Sequence, residues 1–178
     1  MRIIGGAWRS RRISFPDHEG LRPSADRVRE TLFNWLGQEL HGQTCLDLFA
    51  GSGALGLEAL SRGAALVVMV EKDRKVCASL RSNAEMLAAK NLQLHCADAL
   101  EFTTAAALQD AMRFDIVFLD PPFGSNLLAQ VLPRIAPLLK PGARVYVESG
   151  AAFAYTGAWH VIRHGRAGQV HFNLVTHD

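Results

Sequence analysis

Short apolar runs alternate with longer segments of helical periodicity along most of the chain. Apolar runs are typical of strands buried on both faces of a sheet, whereas apolar residues at a 3.6-residue spacing indicate helices with one buried face. Strands are predicted at residues 44–49, 66–70, 92–96, 116–119 and 144–148, and helices at 54–62, 74–89, 103–112 and 127–139. This alternation predicts an α/β fold in which a mostly parallel sheet carries helices on both faces.

The two ends of the chain depart from this alternation. A helix is predicted to begin after Ser24, a favourable N-cap, and to bury a face made of Val28, Leu32, Trp35 and Leu36. Near the C-terminus, residues 159–164 and 169–175 are strand-like and are joined by a loop with two glycines, which predicts an antiparallel hairpin. We therefore expect five parallel strands completed by the hairpin to a seven-stranded sheet.

Composition places the chain among globular proteins of a reducing compartment. The 178 residues are 49% hydrophobic and 20% charged, which fits one compact domain. The apolar runs are far shorter than the ~20 residues of a membrane span, and no signal peptide is recognised at the N-terminus. The odd number of cysteines, Cys45, Cys77 and Cys96, is typical of reduced core thiols. We expect a cytoplasmic protein that does not contact membranes.

Positive charge is concentrated at the N-terminus. The arginines of this region are Arg2, Arg9, Arg11, Arg12 and Arg22, and the first 14 residues contain no acid. Such a segment suits a nucleic-acid phosphate backbone, so residues 1–23 are predicted to be a basic RNA-binding arm that precedes a domain at 24–178. Because it is rich in arginine and glycine, the arm is expected to have no stable partner on the protein itself. The alternatives are a frayed, solvated terminus and an arm that pairs with the rest of the N-terminal segment and is structural.

The segment from Asp115 to Phe123 contains the first candidate for chemistry. Its predicted strand ends at Asp120, and Pro121 and Pro122 follow, which have no backbone N–H and fix the turn. The turn therefore offers acceptors, namely the Asp120 carboxylate and nearby carbonyls, to a substrate that carries an amine with two donors. Phe123 adds a flat apolar face on which a base could stack, an interaction that stabilises binding by about 1–3 kcal/mol. The simpler alternative is a strand followed by a loop that the prolines terminate, with no role in chemistry.

A glycine-rich turn follows the first predicted strand, from Asp47 to Gly56. Glu71, twenty residues after Gly51, ends the second strand, where an acid suits a ribose, and this spacing also fits a dinucleotide such as NAD. Asp47 argues against NAD, because a carboxylate repels a pyrophosphate but attracts the cationic amine and sulfonium of S-adenosylmethionine. Asp98, after the third strand, is expected to accept from the adenine amine. The predicted cofactor contacts are Asp47, Phe49, Ala50, Gly51, Ser52, Gly53, Glu71, Lys72, Asp98 and Ala99.

No metal site is predicted. His160 and His164 are the only histidines at a spacing that suits two ligands, and they lie on a predicted strand. Methyl transfer to an amine proceeds without a metal, because positioning and matched electrostatics supply most of the acceleration.

Three segments together resemble a known family. They are the N-terminal pattern at residues 2–6, 9, 22–24 and 27–36, the glycine turn at 46–53, and Asp-Pro-Pro-Phe at 120–123. The chain resembles bacterial small-subunit ribosomal RNA guanine-N2 methyltransferases of the RsmD type, which are Rossmann-like class I methyltransferases. Ser24 stands where members more often have threonine. The resemblance implies that the 2-amino group of one guanine in 16S ribosomal RNA is methylated, with Asp120 and the Pro121 carbonyl on the amine and Phe123 on the ring.

Other substrate classes share parts of this chemistry. DNA adenine-N6 methyltransferases usually carry a target-recognition domain, for which this chain has no segment, so no DNA partner is expected. Protein glutamine methyltransferases more often have asparagine at the position of Asp120, and a non-catalytic RNA-binding module would not need Glu71 and Asp98. We expect a monomer that acts on 16S ribosomal RNA or the small ribosomal subunit. The exact nucleotide and the assembly state of the substrate stay open.

Overall fold

The computed structural model describes residues 1–15, 26–108 and 112–178. Within these ranges it contains seven strands, which are β1 (Thr44–Asp47), β2 (Leu66–Glu71), β3 (Leu92–Cys96), β4 (Phe114–Leu119), β5 (Leu139–Ser149), β6 (Trp159–Ala167) and β7 (Val170–His177). They form a single sheet in the order β3-β2-β1-β4-β5-β7-β6. Strands β1 to β5 are parallel, and β7 pairs antiparallel with both β5 and β6. The predicted α/β fold is confirmed.

The described residues form five α-helices, of which the first precedes β1 and the other four connect successive parallel strands. They are α1 (Asp26–Leu36), α2 (Ala54–Ser61), α3 (Arg74–Met86), α4 (Ala99–Leu108) and α5 (Leu127–Ile135), and 3-10 turns occur at Gly6–Trp8 and Ala136–Leu138. The described helices are all too short or too polar to cross a membrane. The buried face of α1 includes Val28, Leu32 and Leu36 as predicted, but Trp35 is half-buried.

The starts of α4 and β5 are among the boundaries that differ from the sequence-based prediction. Helix α4 begins at Ala99, four residues before the predicted start, because the Asp98 carboxylate accepts the Leu100 N–H at 2.8 Å and caps the first turn. Strand β5 begins at Leu139 and includes Pro141 and Gly142, which had indicated a turn before the strand. A shift of register opposite β4 accommodates these two residues.

Apolar side chains fill both faces of the sheet. On β4, Ile116 and Phe118 face one core cluster, which also contains residues of α1, α2 and α3. Val117 and Leu119 face a second cluster, which contains residues of α4 and α5. Because successive residues of a strand point to opposite faces, a continuous apolar run was the correct signal for a strand covered on both sides.

The N-terminal segment packs on the protein. Residues 1–15 fold back on themselves through an Arg2–Arg12 bridge, and the Ile3 N–H donates to the Arg11 carbonyl at 3.0 Å. Ile3 and Ile13 are almost fully buried in the first core cluster. The expectation that this segment has no partner on the protein is wrong. Ser24 and Arg22 lie outside the described residues.

A buried glutamate holds this segment in place. The Glu58 carboxylate, on α2, accepts the backbone N–H groups of Ile4 and Gly5, each at 2.8 Å. It also accepts from Arg62 at 2.9 Å and from Arg29 at 3.4 Å, and all three side chains are almost completely excluded from solvent. Because the carboxylate has two guanidinium partners and two backbone donors, its charge is compensated although it is buried.

The three cysteines do not share one environment. Cys45 and Cys77 are buried, as expected of core thiols, whereas Cys96 is exposed at the end of β3. Burial, followed by the charges of Asp115 and Asp47, raises the pKa of Cys45 to about 12, so this thiol stays protonated. Cys96 escapes the core because β3 is the edge strand of the sheet.

Candidate active site

A cavity of about 720 Å³ lies at the carboxyl ends of the parallel strands. It is lined by every predicted cofactor and catalytic residue except Gly53. In open α/β sheets this edge is where ligands bind, next to the point at which the strand order reverses. Strand β1 is that point here, because the chain proceeds from it to β2 on one side and later to β4 on the other.

Backbone geometry explains the glycine-rich turn. Gly53 has φ +78°, in the left-handed region, and a Cβ there would lie 2.6 Å from Leu80. Gly53 therefore lets β1 turn sharply into α2 although it does not line the cavity itself. The Gly51 N–H points to the next strand and donates to the Glu71 carboxylate at 2.9 Å.

Asp47 lies at the end of β1 and is 2% exposed. Its carboxylate accepts the Gly56 N–H at 2.9 Å, and a Cβ at Gly56 would lie 2.3 Å from a Met69 carbon. Glycine at position 56 thus lets α2 approach the carboxylate closely. Burial raises the pKa of Asp47 to about 7, and the Glu71 charge adds to the shift, while hydrogen bonds from Gly56 and Phe49 oppose it.

Glu71 and Asp98 line the cavity and also organise the local backbone. The two oxygens of Glu71 accept the N–H groups of Gly51 and Asp73, at 2.9 and 2.8 Å. Asp98 accepts from Leu100 in the cap of α4. The expected contacts of these acids with ribose and adenine remain predictions, and each acid has a structural role besides them.

The Asp-Pro-Pro-Phe turn forms the cavity wall next to the glycine turn. Asp120 follows β4 directly and is half-buried, and Pro121 is buried. The Pro122 carbonyl accepts the Ser125 hydroxyl at 2.7 Å, which closes the turn. Phe123 is 43% exposed and covers Gly150, where a Cβ would lie 3.2 Å from the ring. A rigid acceptor cluster therefore lies beside an exposed aromatic face.

Sequence reasoning missed several residues of this cavity. Glu148, at the end of β5, lines it while only 5% exposed and accepts the Tyr146 hydroxyl at 2.8 Å. Ala167 and Val170, at the tip of the β6–β7 hairpin, also line it. A sequence signal for Glu148 was present, because it is the last residue of the predicted strand 144–148. Glu71 and Asp120 were found in the same way, since they directly follow the predicted strands 66–70 and 116–119.

Arg9 and Arg11 lie away from the cavity, whereas Arg2 pairs with Asp26 and follows Met1, whose sulfur contacts the cavity-lining Ser52. Arg11 donates to the carbonyl of Met86, the last residue of α3, at 3.0 Å. Helix α3 begins beside Asp73, which lines the cavity, so at 1.5 Å per residue Arg11 lies roughly 18 Å along the helix from it. Arg9 lines a separate depression beside the end of α2. The RNA-binding role of these arginines therefore stays a prediction, and Arg22 lies outside the described residues.

A parallel sheet that ends in an antiparallel hairpin, with a glycine turn and acids at its carboxyl edge, defines a Rossmann-like class I methyltransferase. The family model described as Conserved hypothetical protein 95 matches residues 1–176. The chain belongs to this family, which is the RsmD-type family that its motifs resemble.

Relatives and solved structures agree with this assignment. Ribosomal RNA small subunit methyltransferase D of Escherichia coli K12 is 44% identical over 98% of this chain and 88% of its own length. The enzyme of the same name from Haemophilus influenzae is 44% identical over 84% of this chain and 78% of its own. The solved structure of yhhF from Escherichia coli is 43% identical and covers 100% of this chain and 98% of its own, with a TM-score of 0.89.

A more distant structure shares the fold alone. SMU.776, solved as a complex with SAH, is 18% identical and covers 88% of this chain and 50% of its own, with a TM-score of 0.69.

Proposed function

We propose that this protein transfers a methyl group from S-adenosylmethionine to the 2-amino group of one guanine in 16S ribosomal RNA. The observation that carries the proposal is that the Asp-Pro-Pro-Phe turn and the glycine turn with its acids line one cavity. Relatives that are 44% identical are named for methylation of small-subunit ribosomal RNA, which supports the substrate. The guanine 2-amino group follows from the motif resemblance and the acceptor chemistry of the turn.

The residues of the cavity fit S-adenosylmethionine. The volume of the cavity, about 720 Å³, falls in the usual range of small-molecule sites. The buried Asp47 carboxylate favours a cationic amine over a pyrophosphate, which opposes the alternative of NAD. Glu71 and Asp98 supply acceptors for ribose and adenine, and the apolar side chains of Leu48 and Val76 supply cover.

The chain's own residues hold and activate the amine. Asp120 accepts one amine hydrogen and the Pro121 carbonyl accepts the other, which favours a pyramidal nitrogen and exposes its lone pair. Phe123 stacks on the ring and fixes its plane. Bound S-adenosylmethionine would supply an electrophilic methyl group, so that the N–C bond forms as the S–C bond breaks and a neutral thioether leaves. Asp120 then takes the excess proton from the nitrogen and passes it to water.

We extend the proposal to the setting of the reaction. Residues 1–23 form a basic segment that contacts RNA, and residues 24–178 form the methyltransferase domain. The enzyme acts as a monomer in the cytoplasm, where small ribosomal subunits occur, and does not modify DNA.

A methyl-transfer assay with labelled S-adenosylmethionine tests the proposal. Small ribosomal subunits, naked 16S ribosomal RNA, DNA and protein are offered separately, and the labelled nucleoside is identified by mass spectrometry. We expect label only in ribosomal RNA or subunits, as N2-methylguanosine. Label in DNA adenine or in protein glutamine, with none in RNA, would overturn the proposed function.

Asp120→Ala separates the chemistry from cofactor binding. Turnover should be abolished, because the amine loses its main acceptor, while affinity for S-adenosylhomocysteine measured by calorimetry stays nearly unchanged. Glu71→Ala is the matched variant, and it should lose about 1–3 kcal/mol of cofactor affinity, as expected when a hydrogen-bonding acid is removed. Turnover near the wild-type rate in Asp120→Ala would show that the acceptor mechanism is wrong.

A further inference from the structure

A second carboxylate, that of Glu148, lies near the end of β5, the strand next to the one that leads into the Asp-Pro-Pro-Phe turn. Strands β4 and β5 are parallel neighbours, and their register pairs Leu119 with Val147. Asp120 and Glu148 each come one residue later, so the two acids lie at the carboxyl ends of adjacent strands and at the same level of the sheet. Both line the cavity.

The two acids also point to the same side of the sheet. Phe118 and Tyr146 are paired in the register and belong to the same core cluster. Side chains of a strand alternate between faces, so the residues two positions further on, Asp120 and Glu148, share that face. Any amine that lies against Asp120 therefore has Glu148 as its neighbour along the sheet.

Tyr146 fixes the orientation of Glu148. The Tyr146 side chain is fully buried, and its hydroxyl donates to Glu148 Oε2 at 2.8 Å. Burial, followed by the charges of the Glu148 and Asp120 carboxylates, raises the pKa of Tyr146 well above its ordinary value. The phenol therefore stays protonated and acts as the hydrogen-bond donor. Glu148 is thereby held as an acceptor. A carboxylate has about four lone-pair sites, so Glu148 is able to accept other donors besides the Tyr146 hydroxyl.

We propose that Glu148 is a specificity-determining residue that accepts the N1–H of the target guanine while Asp120 accepts its 2-amino group. The inference rests on the proposed function, and it names the feature of the base that is read. In guanine the 2-amino group has a ring N–H donor, N1–H, on one side. In neutral adenine and cytosine, the ring nitrogen beside the exocyclic amine is a hydrogen-bond acceptor. Two acceptors would then face each other, and the Glu148 carboxylate would repel the base.

The expected discrimination is large because Glu148 is buried. A hydrogen bond to a charged acceptor is worth about 1.5–3 kcal/mol, so a base that lacks N1–H but keeps the 2-amino group should react about 10- to 100-fold more slowly. The buried position prevents water from replacing the missing donor, which makes rejection sharper than at an exposed acid.

The experiment compares two bases that carry the same amine. The methylated guanine is first located in 16S ribosomal RNA by mass spectrometry after reaction with the wild-type enzyme. Small subunits are then assembled with 16S ribosomal RNA that has either guanine or 2-aminopurine at this position. 2-Aminopurine keeps the 2-amino group but has an acceptor at N1, so the wild type should show a kcat/KM ratio of at least about 10 in favour of guanine.

Glu148→Gln should collapse this ratio. The Tyr146 hydroxyl will hold the amide oxygen, which turns the NH2 group toward the base, where it donates to N1 of 2-aminopurine and opposes N1–H of guanine. Tyr146→Phe should lower the ratio less, because Glu148 remains but is no longer oriented. Glu85→Gln, on the exposed face of α3, is the control and should leave the ratio unchanged.

The outcomes separate the inference from the proposed function. Absence of any N2-methylguanosine with the wild type would contradict the proposed function itself. Methylation of guanine with an equal rate on 2-aminopurine would overturn the role of Glu148 without recourse to a variant. A ratio that survives in Glu148→Gln would overturn it too, as would a variant that loses only affinity for S-adenosylhomocysteine. If Glu148→Gln does not fold, the wild-type ratio and Tyr146→Phe decide.

Discussion

At the scale of single residues, Asp47 links ligand binding to protons. Its pKa is raised from 3.8 to about 7, so below about pH 7 the free protein holds it protonated. A cationic amine favours the ionised form of Asp47, so ligand binding should release a proton from this residue at acidic pH. The affinity should therefore increase as pH rises toward about 7 and stay constant above it. Calorimetry of S-adenosylhomocysteine binding at pH 6, in buffers of different ionisation enthalpy, measures the released proton.

Asp47→Asn provides the control for this linkage. The variant should bind more weakly at pH 8, and its affinity should no longer change between pH 5.5 and 7.5. The raised pKa also means that the contribution of Asp47 to stability is lost as pH rises from about 4 to about 7, and the variant should lack that slope. Wild-type binding without proton release would show that the amine does not lie against Asp47.

At the same scale, the sequence identified the residues that stand at strand ends but not those that act through distant partners. Glu71 and Asp120 were predictable because each follows an apolar run, and Asp47 because it begins the glycine turn; parallel strands bring such positions to one edge. Glu58 was not predictable, because its partners Ile4 and Gly5 are 54 and 53 residues away in the chain. Inside the pattern of α2, Glu58 resembled an ordinary polar position of a surface helix.

At the scale of elements, Glu58 should determine whether the N-terminal segment stays attached to α2. Its side chain is buried with Arg29 and Arg62, and without the Glu58 charge Arg29 keeps Asp26 as its partner whereas the buried Arg62 guanidinium loses its carboxylate. Glu58→Gln should therefore lower the free energy of unfolding by about 3–5 kcal/mol. Chemical denaturation followed by circular dichroism measures this loss, and Glu39→Gln, whose side chain is 79% exposed, should stay within about 0.5 kcal/mol of the wild type. Equal stability of the two variants would contradict the anchoring role.

Two basic surfaces are candidates for contact with RNA. Arg166 lies on the β6–β7 hairpin next to Ala167, which lines the cavity, whereas Arg9 and Arg11 lie at the far ends of α2 and α3. Each arginine that neutralises a phosphate should reduce the salt slope of RNA binding by about 0.7–0.9 when it is changed to alanine.

Arg166→Ala and the triple change of Arg9, Arg11 and Arg12 to alanine test the two surfaces separately. Fluorescence anisotropy of labelled ribosomal RNA at several salt concentrations measures the slopes. We expect both variants to flatten the slope while S-adenosylhomocysteine binding stays the same. An unchanged slope in the triple variant, with normal melting, would remove the N-terminal arginines from the RNA interface. Substitution is preferred to truncation, because residues 1–15 contribute Ile3 and Ile13 to the core.

At the scale of elements, the outline of the fold was readable from periodicity, and the errors fall where tertiary contacts decide. The strand at 92–96 was predicted with the bounds that the structure has. The start of α4 was missed because the Asp98 cap overrides a weak helical pattern. The packing of residues 1–15 was missed because arginine and glycine content masked two isolated core residues, Ile3 and Ile13.

At the scale of the whole molecule, the cavity ties ligand binding to global stability. It is lined by residues at the carboxyl ends of β1 to β5, so a ligand there bridges elements that must separate on unfolding. S-adenosylhomocysteine at 100 times its Kd should add about 2.7 kcal/mol, which is roughly 5–10 °C in Tm for a chain of this size. Differential scanning fluorimetry measures the shift, and Glu71→Ala should need more ligand to reach it. An unchanged wild-type Tm at saturation would contradict binding in this cavity.

The place of β7 in the sheet has a consequence for how the protein is made. Strand β7, Val170–His177, is synthesised after β5 and β6, but it lies between them in the sheet and pairs with both. While the ribosome still covers these residues, β6 has no neighbour and the edge of β5 stays open, an exposure that invites pairing with other chains. Completion of the sheet must therefore wait until β7 leaves the exit tunnel. The nascent chain is most vulnerable to such pairing in the interval before β7 emerges, because β7 is the strand that joins β5 to β6.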